Sequence, residues 1–89
     1  MDAAILLAAL KTDLGIMSAA YDDRLCSRLL TAQERIAAEG ATLTDSESDQ
    51  DLVVMYAAWL WRNRATGEKM PDMLRYALNN RVLGEKARI

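Results

Sequence analysis

Apolar residues recur along this chain at helical spacing in four segments, and strand-like alternation is almost absent. The first segment, about residues 2–14, places Leu6, Leu7, Leu10 and Leu14 on one stripe. Asp2 stands where an N-cap is needed, and Gly15 can take the left-handed stop. The second, about residues 19–39, carries Tyr21, Leu25, Leu29, Ala32 and Ile36 at intervals of three or four, between Ser18 as N-cap and Gly40 as terminator. Asp22 and Asp23 lie in its first turns, where the positive end of the helix dipole favours them.

A polar stretch, GATLTDS at residues 40–46, leads into the third segment, about residues 47–65. Thr44 with Glu47, or Ser46 with Asp49, has the spacing of a capping box. From Leu52 to Trp61 this segment is apolar on nearly all sides, which predicts the central helix of the core. The fourth, about residues 71–83, opens at Pro71, which suits a first helical position because its missing N–H would go unpaired there. Met70, Met73, Leu74, Ala77 and Leu78 make its predicted apolar face, Asp72, Arg75, Tyr76 and Asn79 its polar one, and it fades near Gly84. The pattern as a whole predicts an all-α fold, a single-domain bundle of about four helices over residues 1–89.

Composition sharpens this. At 89 residues a monomeric core is feasible but thin, yet 52% of the chain is hydrophobic. Either the core is rich or apolar surface is reserved for partners. Residues 1–51 hold ten acids and four bases, a charge of −6; residues 52–89 hold three and seven, +4, and the halves sum to −2. Such halves can attract each other within one molecule or between neighbours. No apolar run is long enough to span a bilayer, Asp2 precedes the first one where a signal peptide would carry basic residues, and the single cysteine forbids an internal disulfide. A protein made in the cytoplasm is expected, with no membrane partner. Cys26, among Leu25, Leu29 and Leu30, reads as a small core hydrophobe.

Histidine is absent, which removes the usual general base, the commonest metal ligand and any Ser–His or Cys–His pair. Asp45, Glu47, Asp49 and Asp51 alternate, but without the central glycine and terminal glutamate of a calcium loop; they read as helix-capping charges. No glycine-rich phosphate loop occurs. The expectation is a non-enzyme with no cofactor, no metal and no small-molecule substrate.

Two stretches point towards assembly. In Trp59-Leu60-Trp61-Arg62-Asn63-Arg64 the tryptophans stand about 200° apart on a helix and cannot share a face, at about 100° per residue. One fits a monomer core; the other needs a second pocket or a partner, and Trp and Arg are types enriched in interface hot spots. In the run from Met70 to Arg81, Arg75 and Asn79 are four apart and share a polar face. Trp59, Trp61, Arg62, Arg64, Arg75, Asn79 and Arg81 are the candidate subunit-interface residues.

The order Tyr21-Asp22-Asp23, then Asp51-Leu52-Val53-Val54-Met55-Tyr56-Ala57-Ala58-Trp59-Leu60, then Arg62 and Arg64, then Met70-Pro71, Met73-Leu74 and Leu78-Asn79-Asn80-Arg81, resembles the tailed-phage head–tail connector family, also called adaptor or head-completion proteins and found in prophages. The resemblance runs from Leu10-Lys11-Thr12-Asp13-Leu14-Gly15 to Arg81 and lies in the order of short elements, with no single diagnostic motif. It implies a helical subunit that forms a homo-oligomeric ring below the portal protein, extends the DNA channel after packaging and receives the next tail-side protein. DNA would pass through the lumen without sequence-specific binding, the subunit would do no chemistry, and its place would be the head–tail junction of the virion. The rival is a small helical DNA-binding module, a phage regulator or packaging subunit. Against it, Arg62, Arg64, Arg75, Arg81 and Arg88 are spread over two helices, and the pI near 5.0 is low.

Overall fold

The computed structural model describes residues 1–63, 67 and 69–87. Among them it is all-α: α1 (Ala3–Leu14), a 3₁₀ turn (Ala19–Tyr21), α2 (Asp22–Ala38), α3 (Glu47–Arg62) and α4 (Asp72–Ala87).

The ends follow from local chemistry. Asp2 accepts from the N–H groups of Ala4 and Ile5, at 2.9 and 3.4 Å. Gly15 stops α1 at φ 70°, and the Ile16 N–H reaches back to the Lys11 carbonyl, the wrap that satisfies a helix's last orphan acceptors. Ser18 accepts from Ala20 N–H and opens the 3₁₀ turn, so the second segment begins tightly wound and becomes α-helical at Asp22. Ser46 caps α3 through the Asp49 N–H. Pro71 sits one position earlier than expected: its carbonyl accepts the first bond of α4, from Arg75 N–H at 3.0 Å.

The fourth helix does not fade near Gly84; it continues through that residue to Ala87. One glycine inside a helix costs only about 1 kcal/mol. The Arg81–Glu85 ion pair, four residues apart, spans the position.

Contacts between ends set the topology. The N-terminal ammonium of Met1 pairs with Asp45, just before α3, and Arg62 at the far end of α3 donates to the Asp13 carbonyl, so α1 and α3 run parallel. Tyr21 meets Trp61, so α2 begins where α3 ends. Arg81, late in α4, reaches Asp49, early in α3, so α4 returns antiparallel to it. The helices alternate up and down, with α3 central.

Leu6 and Leu10, Leu25, Leu29, Ala32 and Ile36, Leu52, Val53, Ala57 and Trp61, and Leu74 and Leu78 form one core. The leucine and isoleucine stripes of α1 and α2 are the expected ones, with Leu7 and Leu14 half-buried. Three expectations of burial fail. Tyr21 is 46% exposed, because it ends the 3₁₀ turn ahead of α2 and does not join that helix's stripe. Cys26 is exposed, because Leu25 and Leu29 take the core line of α2 and Cys26 lies about 100° away. Met73 is 79% exposed, because α4 turns Leu74 and Leu78 towards α3. No single helix among the described residues is long and apolar enough to cross a membrane.

Candidate subunit interface

The candidate residues that the structure describes separate into four environments. Trp61 is in the core, its ring meeting Tyr21 edge-on with centroids 5.6 Å apart. Trp59 points elsewhere, as the helical geometry requires: half-buried, edge-on to Tyr56 at 5.7 Å, it lines an open groove between α3 and the start of α4. Met55, Met73, Leu74 and Pro71 line that groove with apolar groups, and Arg62, Asn63 and Asp13 with polar ones. The Trp59 indole Nε1 is buried with no acceptor among the described residues. Arg62 is exposed and donates to the Asp13 carbonyl at 3.3 Å. Arg64 lies outside the described residues.

Arg75 and Asn79 do share a face with Asp72 and Tyr76, around a shallow polar depression on α4. Arg75 is not free there: its Nη1 pairs with Glu39 Oε1 at 2.8 Å. Asn79 is exposed.

Arg81 is placed inward. Its Nε donates to Asp49 Oδ1 at 2.7 Å and its Nη2 to Asp49 Oδ2 at 3.3 Å, a bidentate pair. Nη1 takes Glu85 at 2.8 Å and Nη2 also takes the Thr42 carbonyl at 2.6 Å. Asp49, only 2% exposed, also accepts from Thr44 N–H and Thr44 Oγ at 2.8 and 2.9 Å. Asp49 is therefore not a capping charge, unlike its sequence neighbours' expected role; it is the hub joining the 40–46 loop, α3 and α4. Burial by itself pushes the Asp49 carboxyl up. The Arg81 hydrogen bonds, the Thr44 donors and the Arg81 charge outweigh it, and hold the group below the ordinary carboxylate value. Arg81 is driven further towards its charged form by the Asp49 and Glu85 hydrogen bonds.

The hub was missed in the sequence because its partners are 32 residues apart and no local signal joins them. The one available hint was Asp49 facing inward on a helix whose next turns are wholly apolar. Among the described residues no group of three or more His, Cys, Asp or Glu side chains is placed to hold a metal. No protein-family model, no curated protein and no solved structure matches the chain.

Proposed function

We propose that this chain is a structural subunit that assembles with copies of itself into a ring, as a tailed-phage head–tail connector. The observation that carries the reading is apolar surface left over after the core is closed. Ile5 is 54% exposed, Leu83 63%, Tyr76 71% and Met73 79%, on two different helices of an 89-residue chain. Singly exposed apolar residues are ordinary on a protein surface; several large ones on so small a molecule mark contact sites. The resemblance in the order of elements from Leu10 to Arg81 supplies the connector identity, with the portal protein above and a tail-side protein below. Membership of that class also makes the lumen a passage for DNA and puts the subunit at the head–tail junction.

Negative-stain electron microscopy of the concentrated protein tests this: rings with a central hole are expected. Light scattering that finds only monomer at high concentration and low salt overturns self-assembly of the chain.

A further inference from the structure

α4 carries two apolar stripes. Leu74, Ala77 and Leu78 face the core, while Met73, Tyr76 and Leu83 stand in solvent. With Asn80, the exposed stripe is spaced three, four and three residues apart, the spacing with which one helix meets another along a seam. A polar Asn within such a seam is a device that sets alignment at some cost in stability. α1 offers a surface of the opposite kind. It is apolar from Ala3 to Leu10, yet only Leu6 and Leu10 are buried; Ala4, Ile5 and Ala8 look outward. Small side chains there let a helix bearing large ones approach closely and interlock.

We infer that the outer face of α1 in one copy packs against the Met73–Leu83 stripe of α4 in the next. This deepens the assembly reading above and rests on it. Topology sets the direction. Within one subunit α1 is parallel to α3, and α3 is antiparallel to α4. Successive copies in a many-membered ring differ by a small rotation, so a neighbour's α1 arrives antiparallel to α4. Aligned so that Ile5 faces Leu83, the pair sets Ala8 against Asn80 and Asp2 against Lys86. Asp2 and Lys86 are both exposed and opposite in charge. Two different faces meeting in this way form a heterologous contact, which repeats from copy to copy and closes when the rotation allows. Pairing of α4 with a second α4 would stop at a dimer.

The test is cross-linking in a Cys26→Ser background, since Cys26 is itself exposed. Ala8→Cys and Asn80→Cys are made singly and together, and bridged by oxidation or a short bis-maleimide while light scattering follows association. The double variant should give a ladder of linked species extending past the dimer, and each single variant none. Association without a ladder overturns this contact and leaves assembly standing. Dimers from Asn80→Cys alone show α4 pairing with itself and overturn it too. Monomer throughout removes the assembly reading and this contact with it.

Discussion

At the scale of single residues, Asp49 and Arg81 matter most. A carboxylate this buried is tolerated because both oxygens have donors, Oδ1 from Arg81 Nε and Oδ2 from Arg81 Nη2 and twice from Thr44. Removing the cation leaves the charge uncompensated in a low-dielectric site. Arg81→Ala should therefore cost about 3–5 kcal/mol in urea unfolding, the usual loss when one partner of a buried pair is deleted. Asp49→Asn should cost less, since Arg81 keeps Glu85 and the Thr42 carbonyl. The pair also has a pH signature. The folded-state pKa of Asp49 lies below its ordinary value of 3.8, so the stabilisation is complete above that value and is lost as pH falls through the folded one. Thermal melts between pH 7 and 2.5 should show a steeper acid decline for the parent than for Asp49→Asn; equal slopes would contradict the role assigned to the pair.

Individual helices owe their limits to a few residues whose roles differ even where the residue type is the same. Gly15 is held at φ 70°, where an L side chain is strained, so Gly15→Ala should destabilise by about 1 kcal/mol or more. Gly84 lies inside α4 with nothing within 4 Å of where a Cβ would sit, so Gly84→Ala should stabilise by about 0.5–1 kcal/mol. Paired denaturation curves with opposite signs would verify both; two losses would place Gly84 outside a helix. These glycines look alike in the sequence, as punctuation between apolar runs. Gly15 follows a complete stripe and ends it. Gly84 follows Leu78 by six residues, and only the anchoring of Arg81 on Asp49 and of Glu85 on Arg81 shows that the helix runs on. Ser46 and Asp2, by contrast, were readable as caps because capping depends on atoms two or three residues away.

For the molecule as a whole, the charge division of −6 and +4 along the chain is partly neutralised inside the fold. Arg75 and Arg81 of the basic half fold back on Glu39 and Asp49 of the acidic half, so part of the division holds α4 to the rest of the molecule. This also bears on nucleic acid. Two of the five arginines that a DNA-binding reading would use are already ion-paired, and affinity for duplex DNA comes mainly from free cations meeting phosphates. A fluorescence anisotropy titration with duplex DNA at low salt should show only weak, sequence-independent binding. Tight, salt-sensitive binding by a monomer or dimer would favour a DNA-binding module instead.

What the sequence determined alone is the set of helices and most of their caps, along with α3 as the central element, because helix formation and capping depend on residues within one or two turns. It also determined that Trp59 and Trp61 would part company, which follows from helical geometry alone. The tertiary structure alone decided which side of α4 is buried. Met73, Tyr76 and Leu83 form as regular a stripe as Leu74, Ala77 and Leu78, and the choice between them depends on how α4 docks on α3. That docking is directed by Arg81 reaching Asp49, two residues that only the folded chain brings together. The same rotation puts the unburied stripe of Met73, Tyr76 and Leu83 in solvent.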